Sequence, residues 1–253
     1  MDNFYERMNI QNANKQRLAQ LILDRFNNEH TLVLDLGAGT CVIDQTLIDG
    51  GFKGHMIAID HNNRCLVTKR KNFEFERNDL LRGFNNRLPI IMSYDKIVIV
   101  MSAIIHELGA YQLRYLSEMI RTIQFFTKVT LIIREPVITP MLIDEHPAIV
   151  ETEDFKEYLD LHKKNNWPTE IAFINYCFVK SYGPGSWERE KNEGRFTYDY
   201  SQIKQFANDC GFVKANIEAF ERDELYKNTL PYGIYEKINY TGTLIVCEGE
   251  NKL

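Results

Sequence analysis

The run Thr31-Leu-Val-Leu-Asp-Leu-Gly-Ala-Gly-Thr-Cys41 constrains this chain more than any other stretch. Leu32, Val33 and Leu34 make the short apolar run of a strand buried on both faces. Asp35 ends that run, Gly37 and Gly39 follow, and from Val42 the spacing turns helical, with Val42, Ile43, Leu47 and Ile48 on one side. Strand, glycine turn and helix in that order open a nucleotide-binding α/β domain. Glycines leave no Cβ between backbone and ligand, and they permit positive φ in the turn. The stretch predicts a nucleoside-like ligand at the end of the strand without saying which.

The following segments extend the pattern. His55-Met-Ile-Ala-Ile-Asp60 reads as a second buried strand ending in an acid. Asp60 lies about twenty residues past the glycines, where an acid meets a ribose in such folds. A carboxylate can accept hydrogen bonds from both vicinal hydroxyls, although capping a helix is a role open to the same residue. Phe73 to Arg77 alternates as a third strand, and Asn78-Asp79-Leu80 follows it as a turn. Asp35, Asp60 and Asp79 thus stand at the ends of three successive strands, which is the strongest signal in the chain. Tyr94 to Met101 is a fourth strand, placing Met101, Ser102 and Ala103 at the ligand-binding edge. His106-Glu107-Leu108 comes next, then a helix from about Tyr111 to Phe126.

Thr130 to Pro136 is the fifth strand, closed by a proline that cannot donate to a central ladder. Tyr198 to Cys210 is helical, Val213 to Phe220 a strand, and Gly242 to Cys247 a last strand, seven in all. Ahead of them, residues 1–30 form an N-terminal helical segment, with an amphipathic helix from about Asn12 to Phe26. Tyr5 and Gln11 lie near enough in sequence to reach the ligand. Two stretches exceed what connections need, 138–197 and 222–241. Both read as insertions over the carboxyl end of the sheet, a substrate lid within one domain spanning 1–253. In the first, Thr152 to Lys164 is helical, and Tyr182, Trp187 and Arg189 are candidate substrate contacts. A tryptophan after Gly-Pro-Gly offers an aromatic plane, and arginine forks onto a carboxylate or phosphate.

Composition narrows the function classes. With 253 residues and 44% hydrophobic content the chain can fill one large core. A net charge of −5 disfavours a broad phosphate-binding surface, so a nucleic-acid partner is not expected. Cys41, Cys65, Cys177, Cys210 and Cys247 are scattered and odd in number, which fits reduced thiols and offers no metal site. No apolar signal core opens the chain and no apolar run is long enough to span a membrane. The expectation is a soluble, cytoplasmic protein.

The run from Val33 to Gly39 resembles motif I of the class I S-adenosylmethionine-dependent methyltransferases, V-L-D-L-G-x-G-x-G, and departs from it at Cys41. A dinucleotide fingerprint fits less well, because Val42 stands where its third glycine belongs. The resemblance implies a Rossmann-like sheet in the order 3-2-1-4-5-7-6, with the last strand antiparallel and helices on both faces. It implies S-adenosyl-L-methionine as cofactor, held by Asp35, Gly37, Ala38, Gly39, Asp60, His61, Asp79, Leu80, Met101 and Ser102. Ile105-His106-Glu107-Leu108 is similar to the segment after strand four in small-molecule methyltransferases. In the plant-type O-methyltransferases a histidine there is the general base and an acid after strand five orients it, roles that fall on His106 and Glu135. The tryptophan of that group's motif is missing here. The plainer roles are a capping histidine for His106 and a surface ion pair with Arg134 for Glu135. The expected activity is methyl transfer to a hydroxyl or amine of a small molecule. The alternatives are methylation of an RNA cap or ribose, and a catalytically silent binding subunit. An NAD-dependent oxidoreductase is more distant.

Overall fold

The computed structural model describes residues 2–67, 71–138, 151–181, 187–192, 198, 200–219 and 238–248. Seven strands occur among them: β1 (Thr31–Leu36), β2 (His55–Asp60), β3 (Phe73–Arg77), β4 (Lys96–Ser102), β5 (Lys128–Ile138), β6 (Ala215–Ala219) and β7 (Ile238–Glu248). They hydrogen-bond in the order β3-β2-β1-β4-β5-β7-β6. The first five pair in parallel, and β7 runs antiparallel to both β5 and β6. That is the strand order the motif resemblance implies.

Side-chain alternation divides the core into two layers. Leu32, Leu34, Leu36, Ile97, Ile99, Met101, Leu131 and Ile133 face one way. They are covered by α3 (Leu80–Ile91), α4 (Ala110–Ile123) and α8 (Tyr200–Asp209), through residues such as Phe84, Ile120 and Ile203. Val33, Ala58, Val98, Val100 and Ile132 face the other way, under α1 (Asp2–Phe26) and α2 (Val42–Asp49). Strands buried on both faces are what continuous rather than alternating apolar runs produce. Each layer is dry and filled by branched aliphatics, so the strand ends are held rigidly and the loops beyond them are positioned by the sheet.

Several boundaries differ from the sequence-based expectation. α1 begins ten residues earlier than the apolar spacing suggests; the periodic face Leu18, Ile22 and Phe26 is buried as expected. Pro136 does not close β5. The strand continues to Ile138, and the register with β7 slips between Glu135 and Val137, so a bulge accommodates the residue that lacks an N–H. α3 has no counterpart in the sequence reading, because Gly83 and Pro89 interrupt its pattern. β7 starts at Ile238, inside the stretch read as a second insertion, and the remainder of 222–241 lies outside the described residues. The first insertion holds α5 (Glu153–His162), α6 (Thr169–Ser181) and the short α7 (Trp187–Glu190). These helices share a separate apolar cluster built on Phe155, Tyr158, Phe173, Tyr176 and Trp187.

Candidate active site

Positive φ marks the turn after β1: Gly37 has φ +74° and Gly39 φ +57°. The Gly37 and Ala38 N–H groups donate to the Ile59 carbonyl at 2.9 and 3.2 Å, tying the turn to the end of β2. The two glycines differ in surroundings. A Cβ on Gly37 would stand 2.7 Å from the Ile104 side chain, whereas a Cβ on Gly39 would meet nothing within 4 Å. Gly37 is therefore required by protein packing, and the open side of the turn is at Gly39. Cys41 also takes a left-handed conformation, φ +59°, as the residue preceding α2. The motif has glycine at this position, and the backbone has kept the glycine geometry although the residue is not glycine.

The expected acids fall at the strand ends, and each is doing something local. Asp60 accepts from the Gly39 N–H through Oδ2 at 2.8 Å and from the Asn62 N–H through Oδ1 at 2.7 Å. It thus braces the glycine turn and the loop that follows β2, and caps no helix. Each oxygen keeps one further lone pair for a ligand hydroxyl. Its neighbour His61 is exposed and bonds Asn62 through Nε2 at 2.8 Å. Asp79 is the N-cap of α3, accepting from the Leu81 and Arg82 N–H groups through Oδ1 at 3.1 and 3.3 Å. That leaves Oδ2 outward on an exposed residue, while Leu80 opens the helix.

Asp35 differs from both. It is 1% exposed, and neither oxygen accepts a hydrogen bond from a described N–H or O–H group. Asp44, in the first turn of α2, is wholly buried in the same condition. The two carboxyls stand within each other's electrostatic reach. Burial pushes Asp35 up to about 6, against the opposing pull of the Lys15 ammonium. Burial pushes Asp44 higher still, with the Asp35 charge adding to it. Lys15 reaches this group from α1, and its own affinity for a proton is lowered by burial and then by Arg134. Arg134 in turn donates from Nε to the Ser102 hydroxyl at 2.7 Å, across the β4–β5 register pair Ser102–Arg134. A group of four ionisable side chains, two of each sign, therefore lies buried at the carboxyl end of β1. Lys15, Asp44 and Arg134 were not expected there. A signal for Asp44 existed, since it lies between Ile43 and Leu47 on the apolar side of α2.

On the other face of the sheet, Glu135 and His106 meet. His106 Nδ1 is 2.8 Å from Glu135 Oε2, and each side chain is 2% exposed. Glu135 Oε1 accepts from the Ile104 and Ile105 N–H groups, both at 2.5 Å. Two backbone N–H groups and the imidazole thus converge on one buried carboxyl. Nδ1–H donation to Glu135 leaves the Nε2 lone pair as the basic position, and Nε2 is buried with no hydrogen-bond partner among the described residues, Glu107 Oε1 standing 3.8 Å away. Ala103 at φ +57° begins the loop that carries the histidine, and its N–H donates to the Arg134 carbonyl at 2.7 Å. A non-glycine residue held in that region costs about 1–2 kcal/mol, strain of the kind a site tolerates when the surroundings fix it. The surface ion pair with Arg134 proposed as Glu135's plainer role is absent: its partner is His106. Tyr198 stands close enough to be influenced by Glu135, and burial and then that charge push its hydroxyl pKa up.

Other expectations need correction. Trp187 is not an exposed plane: it is 8% exposed, edge-on to Tyr176 with ring centres 5.8 Å apart, and Lys180 Nζ stands 4.5 Å from its ring centre. A helix-forming stretch with Phe155, Tyr158 and Tyr176 gave the indole an apolar cluster to join, and burying so large a side chain outweighs displaying it. Met101 is fully buried in the layer under α4, so only its backbone lies at the ligand edge. Tyr182 lies outside the described residues, as do the side chains of Arg189, Tyr5 and Gln11. Among the described residues no cluster of metal-ligating side chains occurs, and no helix is long and apolar enough to cross a membrane.

Solved structures of similar trace exist. An S-adenosylmethionine-dependent methyltransferase from Archaeoglobus fulgidus is 14% identical, with 92% of this chain and 94% of that chain covered and a TM-score of 0.48. The methyltransferase CalO1 of calicheamicin biosynthesis, in its SAH-bound form, is 12% identical, covering 96% of this chain and 56% of its own at a TM-score of 0.48. A candidate O-methyltransferase from Nostoc punctiforme is 10% identical, covering 93% and 55% at 0.46. The chain spans about half the length of the last two. No family model and no curated protein matches the sequence. At these identities and TM-scores, such likenesses say nothing about what this chain does. Its own strand order, the reversed β7 and the glycine turn after β1 are what give it a class I methyltransferase-like fold.

Proposed function

We propose that this chain is an S-adenosylmethionine-dependent methyltransferase acting on a hydroxyl or amine of a small molecule, with His106 as general base. The observation that carries the reading is the buried pair of His106 Nδ1 and Glu135 Oε2 at 2.8 Å, one loop beyond the glycine turn's neighbouring strand. The strand ends fit an adenosine: Gly39 has no atom over it, Asp60 and Asp79 keep acceptor capacity, and Asp35 and Asp44 are buried without donors. Bound there, S-adenosylmethionine supplies an electrophilic methyl group, the chemistry of a sulfonium. Asp60 would meet the ribose hydroxyls, with His61 beside them. Asp79 Oδ2 and the Leu80 backbone would meet the adenine. Asp35, Ala38, Ser102 and the Met101 backbone would line the methionine end.

The chain's own work is then orientation and proton removal. Glu135, fixed by two backbone N–H groups, holds the imidazole in the tautomer that bears its lone pair on Nε2. Nε2 is the position that would take the acceptor's proton, a contribution of about 10²–10⁴ in rate. The fold around the pair is rigid, which suits a reaction limited chiefly by alignment. The helical insertion between β5 and α8, within 138–197, and the stretch 222–241 are read as the acceptor's lid on a single domain. A net charge of −5 favours a small acceptor over RNA.

The test is methylation of a panel of hydroxyl and amine compounds with radiolabelled S-adenosylmethionine. Wild-type turnover that falls by at least about a hundredfold in His106→Ala, with cofactor affinity kept, supports the reading. A His106→Ala enzyme working within a few-fold of wild type removes the base.

A further inference from the structure

We propose that Cys41 and Cys65 are a thiol pair that peroxide oxidises to a disulfide, pinning the glycine turn to the loop after β2 and weakening ligand binding there. The Leu66 N–H donates to the Thr40 carbonyl at 3.3 Å, which brings the two segments together and sets residues 41 and 65 across from one another. Cys41 is wholly buried in the apolar cluster under α1 and α2, and Cys65, partly exposed, packs against that same cluster. The two thiols are within each other's hydrogen-bonding influence. Cys41 also keeps a left-handed backbone that glycine would adopt at less cost, so a thiol stands here against the local preference. Cys177, Cys210 and Cys247 are all buried, which leaves Cys65 as the thiol an oxidant can reach.

The chemistry follows from that difference in access. Cys41 is wholly buried and Cys65 partly exposed, so Cys65 meets the oxidant first. Its sulfur attacks a peroxide oxygen, the O–O bond breaks, and Cys65 becomes a sulfenic acid with loss of water. The Cys41 sulfur then attacks the Cys65 sulfur; the S–S bond forms, the S–O bond breaks, and the Cys41 proton leaves with the hydroxyl as a second water. Two electrons pass from the thiols to one peroxide. The bridge would join the segment that presents Gly39 to the one that presents Asn62, the two residues whose N–H groups grip Asp60. Its effect on affinity rests on the ligand reading given above; its formation does not.

The experiment is non-reducing peptide mapping of the full chain after hydrogen peroxide, paired with calorimetry of S-adenosylhomocysteine binding. The expected result is a joined pair of peptides carrying Cys41 and Cys65, absent in Cys65→Ser and reversed by dithiothreitol. Affinity should fall roughly tenfold or more on oxidation and return on reduction, while reduced Cys65→Ser binds as the wild type and ignores peroxide. Cys65 running on to sulfinic acid beside a reduced Cys41 overturns the proposal, as does bridged protein that binds as tightly as reduced. If the reduced protein binds no S-adenosylhomocysteine, the ligand reading fails, and the pair stands or falls on the peptide map alone.

Discussion

Glu135 is the residue on which most hydrogen bonds at the site converge, and removing it should show in two ways. Glu135→Leu strands the Ile104 and Ile105 N–H groups and the His106 ring N–H, which are buried or partly so. At about 1–3 kcal/mol for a buried donor left unpaired, the variant should unfold at clearly lower urea. Glu135→Gln keeps the acceptor oxygen and the shape, so it should stay folded and lose mainly rate, through a mis-set tautomer. Urea melts and steady-state kinetics on both variants check this. Asp35 and Asp44 give a second residue-scale expectation. Both are raised in the folded state, Asp35 to about 6 from the ordinary 3.8, so the folded chain holds protons that the unfolded chain releases. For Asp35 that contribution to stability is present below about pH 4 and lost as pH rises through 6, and the Asp44 contribution is lost in the same direction. Asp44→Asn removes one of the two titrations, so its stability should decline less than wild type's as pH rises in pH-dependent melts. His106 and Glu135 were legible because their chemistry sits at fixed points after strands. Lys15 and Arg134 were not, since a lone basic residue on a helix or strand looks like a solvated charge until the fold brings it against a carboxylate.

The glycine turn and the helical insertion respond to different substitutions. Gly37→Ala puts a methyl 2.7 Å from Ile104 at φ +74°, combining overpacking with backbone strain, and should cost about 2–3 kcal/mol in thermal or urea melts. Gly39→Ala at φ +57° meets no atom and should cost about 1 kcal/mol, yet it should weaken ligand binding more, because its methyl enters the open side of the turn. Equal losses of affinity in the two would say that the turn's open side is not where the ligand lies. In the insertion, Trp187→Ala should destabilise the α5–α6–α7 cluster by about 3–5 kcal/mol, as removal of a buried indole does. Preferential proteolysis within the insertion, with the sheet left intact, would be its signature. Sequence pattern placed these helices only in part. Apolar runs such as Ile171 to Val179 carry no period that separates helix from strand, and a tryptophan beside Gly-Pro-Gly has the same look exposed or buried. Pro136 misled for a related reason: a proline forbids a ladder bond, and a bulge removes the need for that bond.

At the scale of the whole molecule, the parallel half of the sheet was the most legible part. β1, β2, β4 and β5 each read as a short apolar run buried on both faces, whereas the edge strand β3 alternates. The order of β6 and β7 was not readable from spacing; it came from the resemblance of motif I to a family, and the antiparallel pairing of β7 agrees with it. The same architecture puts Asp35, Asp60 and Asp79 after β1, β2 and β3 and His106 with Glu135 after β4 and in β5, so the proposed binding and proton-transfer residues share one rim. That convergence is the central claim, and calorimetric titration of the reduced full chain with S-adenosylhomocysteine tests it most directly. The account expects saturable binding in the wild type that is lost in Asp60→Leu and kept in His106→Ala. No heat of binding in the wild type, or equal binding in Asp60→Leu, would contradict it.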